Sequence, residues 1–247
     1  VAGRLVRYAA MNQPLHPQRE PAAEPFGARL IIFDLDGTLL DSVPDIAAAV
    51  DRSLLDLGLP APGEERVRRW VGNGAPKLLE RALHHAGDRS STTLDRALTL
   101  FLEHYGWAFT VRSRLYPGVA EVVARLAAEG RRLAVCTNKP SQFVVPLLEH
   151  FGLVGSFSAG IGGDDLPTMK PDPAPLHHLA ARFGAVAEDC LVVGDSRTDV
   201  EAARAAGMPV VAVSYGYNHG ADIRDSAPDA TIDSMAQLPP LLAPFCV

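Results

Sequence analysis

Three short apolar segments, each ending in polar residues, constrain the fold of this chain more than any other feature. They run from Arg29 to Phe33, from Arg131 to Asn138 and onward from Cys190. Their length and apolar content predict buried strands. Segments with apolar residues at helical spacing, such as 119–126, separate them. Strands that alternate with helices predict an α/β protein with a parallel sheet covered on both faces.

Two further segments follow the same plan. Residues 143–148 carry apolar residues at helical spacing, although Pro146 predicts a kink or a local break there. Another strand is expected from Met208 to Tyr215, after a helix that ends at Gly207.

The alternation is interrupted once, by a long segment whose apolar residues recur only at helical spacing. It begins directly after the first Asp-containing turn. A proline and a glycine within residues 115–119 mark its return to the sheet. The predicted units are a flexible leader at residues 1–28, a core at 29–42 and 113–247, and a helical insert at 43–112.

Composition excludes several classes of partner. The 247 residues carry 23 basic and 29 acidic side chains, without a basic stripe containing interleaved aromatic residues, so a nucleic acid is not an expected partner. No stretch approaches the ~18 uninterrupted apolar residues of a membrane span. Cys136 and Cys190 lie in predicted strands, where a reduced thiol packs as a small apolar group. We expect a cytoplasmic protein that is a monomer or a homodimer.

Polar side chains lie directly after the carboxyl ends of the predicted strands. In an open parallel sheet, ligands bind at this edge. These side chains are Asp34 and Asp36 after the first strand, Thr137 and Asn138 after the second, Asp195 after the third, and Asp199 one helical turn later. Carboxylates this close together would repel one another without a counter-charge. Mg²⁺ prefers oxygen ligands and commonly bridges carboxylates to a substrate phosphate. The sequence therefore predicts a magnesium site at this edge.

A phosphate group also needs hydrogen-bond donors. Thr137 and Asn138 supply a hydroxyl and an amide, and Lys170 supplies an ammonium. Pro171 biases Lys170 toward an extended conformation, so we expect it in a loop that reaches over the site. Gly37 permits the tight turn that follows Asp36.

Taken together, four segments resemble the motifs of the haloacid dehalogenase-like phosphohydrolases: DLDGT at 34–38, TN at 137–138, KP at 170–171 and GDSRTD at 194–199. The insert has the position of that family's helical cap of the first type. The resemblance implies a Rossmann-like core with an inserted all-helical cap domain. It also implies hydrolysis of a small phosphorylated metabolite through an aspartyl-phosphate.

The resemblance assigns a role to each motif residue. Asp34 is implied as the nucleophile, and Asp36 as the acid that protonates the leaving oxygen and later activates water. The implied metal ligands are Asp34, the backbone carbonyl of Asp36, and Asp195, with Asp199 bound directly or through water. The implied phosphate-binding residues are Gly37, Thr137, Asn138 and Lys170, and Lys170 is counted as catalytic as well.

The insert contains a Gly-Asn-Gly turn at the start of a helix, formed by Gly72, Asn73 and Gly74. It is either a simple hinge or a turn directed at the active site, where loops commonly set substrate choice. VGNGA at 71–75 and LYPGV at 115–119 are similar to phosphoglycolate phosphatases within the family. This similarity implies 2-phosphoglycolate as the substrate and the release of glycolate and phosphate.

Other outcomes of the same core remain open. A phosphosugar phosphatase or a pyrophosphatase would share all four motifs. Asp36 disfavours a dehalogenase, because a dehalogenase reaction has no leaving alkoxide for this acid to protonate. Thr38 disfavours a phosphosugar mutase, because the family resemblance associates mutases with valine at this position. A non-catalytic binding protein would be expected to lack one of Asp34, Asp36, Lys170 or Asp195, yet all are present.

Overall fold

The computed structural model describes residues 25–244. Most of the predicted leader, residues 1–24, lies outside the described part. The described strands are β1 Leu30–Phe33, β2 Leu40–Asp41, β3 Arg114–Leu115, β4 Arg132–Cys136, β5 Ala159–Ile161, β6 Cys190–Gly194, β7 Val210–Val213 and β8 Ala230–Ile232. The described α-helices are α1 Val43–Asp56, α2 Glu64–Arg68, α3 Gly74–His85, α4 Ser91–Ala108, α5 Val119–Ala128, α6 Val144–His150, α7 Ala174–Phe183 and α8 Arg197–Ala205.

Six strands form one parallel sheet in the order β5-β4-β1-β6-β7-β8. β1 lies near its middle, with Leu30 in register with Arg132 of β4 and Cys190 of β6. The chain proceeds outward to β4 and β5 on one side of β1 and to β6, β7 and β8 on the other. Such a reversal leaves a crevice at the carboxyl ends of the central strands. The predicted Rossmann-like α/β fold is confirmed.

Both faces of the sheet are covered, which explains why β1 is apolar without interruption. Ile31 and Phe33 belong to a buried cluster that includes apolar residues of α5 and α6. Leu30 and Ile32 point to the opposite face, into a cluster with residues of α7 and α8. The alternation follows from the two-residue period of a strand.

The four helices of the insert, α1 to α4, lie between β2 and β3. These two strands pair antiparallel, with Leu40 opposite Leu115. The carboxylate of Asp45, buried in α1, accepts hydrogen bonds from the backbone N–H groups of Arg112 and Ser113 and from the Ser113 hydroxyl, at 2.7–3.0 Å. The two ends of the insert are thus held side by side.

Two details differ from the sequence expectations. The predicted break at Pro146 lies before the α-helix rather than inside it, because a 3₁₀ turn at Ser141–Phe143 precedes α6 and Pro146 falls in the first helical turn. Proline is tolerated there since first-turn N–H groups have no partner within the helix. The strands β2, β3, β5 and β8 were not expected, because two or three residues are too few to show a period. Among residues 25–244, no helix combines the length and apolar character needed to cross a membrane.

Candidate active site

The carboxyl ends of β1, β4 and β6 bring the predicted polar residues to one edge of the sheet. Asp34 and Asp36 follow β1, Thr137 and Asn138 follow β4, and Asp195 follows β6. Lys170 reaches the same edge from the connection between β5 and α7. Asp199 lies in the first turn of α8.

Three carboxylates form a buried cluster. One oxygen from each of Asp34, Asp195 and Asp199 lies within 4.8 Å of the other two. Lys170 supplies one ammonium to this cluster, with Nζ 2.6 Å from Oδ1 of Asp199 and 3.0 Å from Oδ1 of Asp34. Three carboxylates and one ammonium leave an excess of two negative charges in a buried space. Uncompensated buried charge is costly, so the cluster fits a divalent cation.

The surroundings of Asp34 also suit a cation. Its Oδ1 is buried and accepts no hydrogen bond from any described residue, since its contact with Lys170 lacks hydrogen-bonding geometry. Burial raises the pKa of Asp34 to about 6, with Lys170 opposing the shift and Asp199 and Asp36 adding to it. A bound cation would supply the missing contact and keep the carboxylate ionised.

Asp195 is held firmly in place. Oδ1 accepts a hydrogen bond from the Thr38 hydroxyl at 2.9 Å, and Oδ2 accepts one from the backbone N–H of Tyr217 at 2.6 Å. Even so, burial raises the pKa of Asp195 well above its ordinary value, and Asp199 and Asp34 reinforce the shift. Sequence reasoning did not single out Tyr217, because its contact with Asp195 joins segments that no local pattern relates.

Asp199 has both oxygens engaged. Oδ1 accepts from Lys170, and Oδ2 accepts from the backbone N–H and the hydroxyl of Ser196, which together form a capping box at the start of α8. Asp199 thus holds Lys170 beside Asp34.

The two residues after β4 differ in what they offer a phosphate. The Thr137 hydroxyl accepts a hydrogen bond from the backbone N–H of Lys139 at 3.3 Å, which leaves its own proton free to be donated. The Asn138 side-chain amide instead donates to the carbonyl oxygens of Gly72 at 3.0 Å and Lys170 at 2.8 Å. Asn138 therefore links the insert to the lysine loop through the donors that the sequence analysis assigned to phosphate.

Comparison of the sequence with known protein families gives one match that covers these residues. The sequence model of the haloacid dehalogenase-like hydrolases matches residues 28–207, which contain all four motif segments. The chain belongs to this hydrolase family.

Individual relatives are similar to this hydrolase in sequence and structure over most of its length. A phosphoglycolate phosphatase of Nitrosococcus oceani is 48% identical over 216 residues, which is 87% of this chain and 96% of that protein. Phosphoglycolate phosphatase 1 of Pseudomonas aeruginosa is 48% identical over 89% of this chain and 83% of its own length. The crystal structure of a predicted phosphoglycolate phosphatase from Haemophilus somnus superposes with a TM-score of 0.83 at 40% identity, covering 87% of this chain and 98% of that one.

A small cavity of about 50 Å³ lies between the sheet edge and the insert of the hydrolase. Asp34, Asp36 and Thr137 line it from the core, and Gly72 and Gly74 line it from the insert. The Gly-Asn-Gly turn therefore lies at the site. The Asn73 side chain is not among the lining groups, because Oδ1 accepts from Arg81 at 2.8 Å and Nδ2 donates to Thr198 at 3.3 Å.

The sequence analysis missed Lys139, which also lines the cavity. Its Nζ lies 3.0 Å from each carboxylate oxygen of Asp36, and its side chain is only 3% exposed. The signal available in the sequence was its position directly after Thr137 and Asn138. A single lysine in a loop is usually solvated, so that position alone did not mark it.

Gly37 of the hydrolase cannot carry a side chain without disturbing this site. Its φ is +90°, and a β-carbon there would lie 2.2 Å from Oδ2 of Asp195. Gly220 has a similar φ of +85° and nothing within 4 Å of its β-carbon position. Alanine at either position would have an unfavourable positive φ, but only alanine at Gly37 would also clash with Asp195.

We expect Gly37→Ala to lower the free energy of unfolding by about 2 kcal/mol more than Gly220→Ala does, because only the first displaces a buried carboxylate. Urea unfolding of both variants measures the difference. Equal losses would show that the loop relaxes away from Asp195 at no cost.

Proposed function

We propose that the chain is a Mg²⁺-dependent phosphatase that hydrolyses 2-phosphoglycolate to glycolate and phosphate. The observation that carries the proposal is the buried Asp34 carboxylate, set beside Lys170 within the acidic cluster of Asp195 and Asp199. That arrangement suits attack by a carboxylate on a phosphoryl group whose charge is offset on two sides. The phosphoglycolate phosphatases that are about half identical to the chain support the substrate.

In the proposed first step, a carboxylate oxygen of Asp34 attacks phosphorus while the bond from phosphorus to the leaving oxygen breaks. Asp36 gives a proton to that oxygen, and glycolate departs. In the second step Asp36 takes a proton from water, whose oxygen attacks phosphorus and releases phosphate from Asp34. Asp34 and Asp36 are two residues apart, so their carboxylates lie on one side of an extended chain. Both side chains line the same cavity.

The residues fitted to hold Mg²⁺ are Asp34 and Asp195 through their carboxylates and Asp36 through its backbone carbonyl, with Asp199 joined through water. When bound, the ion would offset negative charge on the phosphoryl oxygens. Lys170 would offset charge on the same group, positioned by Asp199 at 2.6 Å. Thr137 would donate its hydroxyl proton to a phosphoryl oxygen, and Gly37 would let the loop approach closely.

Residues 43–112 are proposed to act as the cap, with Gly72 and Gly74 closing the cavity over the substrate. Both glycines line the cavity at this edge of the sheet, opposite Asp34 and Asp36. The location proposed is the cytoplasm, since the buried Cys136 and Cys190 are unpaired thiols.

A panel of phosphomonoesters tests the proposal: 2-phosphoglycolate, a hexose phosphate, pyrophosphate and an aryl phosphate, each with Mg²⁺ and with a chelator. We expect kcat/KM to be highest for 2-phosphoglycolate and hydrolysis to depend on the metal. The hexose phosphate should give free phosphate and no isomer, which separates a phosphatase from a mutase. A higher kcat/KM for the hexose phosphate or pyrophosphate would reject the substrate proposed.

A further inference from the structure

Lys139 places a positive charge in the cavity, directly beside the proposed general acid. Its Nζ lies 3.0 Å from both carboxylate oxygens of Asp36, and 4.5 Å from the ring centroid of Tyr105. Both of these neighbours line the cavity with it. An ammonium has three N–H donors, and Asp36 accepts from Lys139 at two oxygens. The third donor of Lys139 is left for the Tyr105 hydroxyl or for a ligand in the cavity that both side chains line.

The rest of the cavity is poorly suited to a substrate that carries a carboxylate in addition to its phosphoryl group. Its wall on the insert side is largely apolar, formed by Ile46, Val71, Leu78 and Phe101. Among the lining residues in the described part of the chain, Lys139 is the one that is positively charged. The buried Tyr105 hydroxyl interacts with Lys139 and donates to no acceptor among the described residues, which leaves one neutral donor nearby. A carboxylate buried here needs a charged or hydrogen-bonding partner.

We propose that Lys139 binds the carboxylate of the substrate and so selects phosphorylated acids over uncharged phosphomonoesters. The inference rests on the proposed function, in which Asp36 protonates the leaving oxygen of 2-phosphoglycolate. One methylene carbon separates that oxygen from the carboxylate. A cation in contact with Asp36 is therefore within reach of the carboxylate when Asp36 contacts the leaving oxygen.

A purely structural role for Lys139 makes a different prediction. If Lys139 only neutralised Asp36, its loss would slow the hydrolysis of every phosphomonoester by the same factor, because Asp36 acts on every leaving oxygen. If Lys139 also binds the carboxylate, its loss penalises the acid substrate further. The ratio of kcat/KM between an acid and its uncharged analogue isolates the second effect.

The test compares 2-phosphoglycolate with ethyl phosphate, which has a methyl group in place of the carboxylate, in the wild type, Lys139→Gln and Lys139→Arg. Hydrogen bonds to charged groups contribute about 1.5–3 kcal/mol, so we expect Lys139→Gln to lower the ratio about 10- to 100-fold. Lys139→Arg keeps the charge and is expected to retain more of the ratio. For variants too slow for kinetics, the dissociation constants of both compounds are measured in an Asp34→Asn background.

The outcomes separate this inference from the proposed function. Equal losses for both compounds in Lys139→Gln would overturn the role of Lys139 and leave the phosphatase proposal intact. A wild type that prefers some other phosphorylated acid, with the preference lost in Lys139→Gln, would reject 2-phosphoglycolate and retain the role of Lys139. A wild type that does not discriminate between the two compounds would overturn the inference directly.

Discussion

Asp34→Asn is expected to lower kcat for 2-phosphoglycolate by about 10⁴-fold or more, because an amide oxygen is a far weaker nucleophile toward phosphorus than a carboxylate. The side chain keeps its size, so the contacts of Lys170 with Asp199 are expected to persist. Phosphate release in the presence of Mg²⁺ measures the loss. Circular dichroism and the unfolding midpoint verify that the fold is retained.

Asp225→Asn is the matched control, because it makes the same chemical change at an exposed carboxylate that is not part of the cluster. It is expected to leave kcat within about twofold of the wild type, as surface substitutions usually have small effects. If Asp34→Asn retained turnover near that of the control, a different group would have to form the bond to phosphorus.

The second large effect expected concerns the free energy of unfolding: the substitution that lowers kcat should raise stability. Without metal at pH 7.5, Asp34→Asn should be more stable than the wild type by about 3 kcal/mol, because burial raises the folded-state pKa of Asp34 from 3.8 to about 6. Above that pKa the folded protein keeps a carboxylate ionised in surroundings that favour its neutral form. The carboxylate proposed as the nucleophile is therefore expected to destabilise the metal-free fold.

The pH dependence of this difference follows from the direction of the pKa shift. A raised folded-state pKa means that the folded state binds more protons than the unfolded state between pH 3.8 and about 6, so Asp34 costs less stability as pH falls through that window. We expect the difference between the variant and the wild type to narrow between pH 7 and pH 5. Asp34 also contributes to the raised pKa of Asp195, so the variant relieves part of that shift, and this effect on stability has the same sign.

Urea unfolding with a chelator at several pH values measures this difference. Added Mg²⁺ is expected to reverse it, because the variant lacks one carboxylate of the proposed metal site and would bind the cation less tightly than the wild type. A difference that does not change with pH, or a wild type that Mg²⁺ fails to stabilise, would contradict the assignment of Asp34 to the metal cluster.

The sheet and the positions of the motif residues could be predicted because they depend on local patterns. β1 is buried on both faces and is therefore apolar throughout, and the polar residues after it mark the point where it ends. The same reasoning located the ends of β4 and β6. Since the carboxyl ends of parallel strands share one edge, the meeting of Asp34 with Asp195 followed from topology.

Other parts of the site depend on contacts between distant segments, which no local pattern records. Lys139 was missed because its significance comes from Asp36, 103 residues earlier in the chain. Asn138 was assigned to phosphate, whereas its side-chain amide donates to Gly72 and Lys170. Tyr217 acts through a backbone N–H, which every residue except proline possesses, so residue type gives no signal.

The pairing of β2 with β3 gives the insert a double connection to the core. These two-residue strands lie outside the six-stranded sheet, and the insert begins after Asp41 and ends before Arg114. The two connections pair with each other, with Leu40 opposite Leu115, and are joined again through Asp45. We expect any displacement of the four helices relative to the sheet to bend both connections together and to carry Gly72 and Gly74 with it.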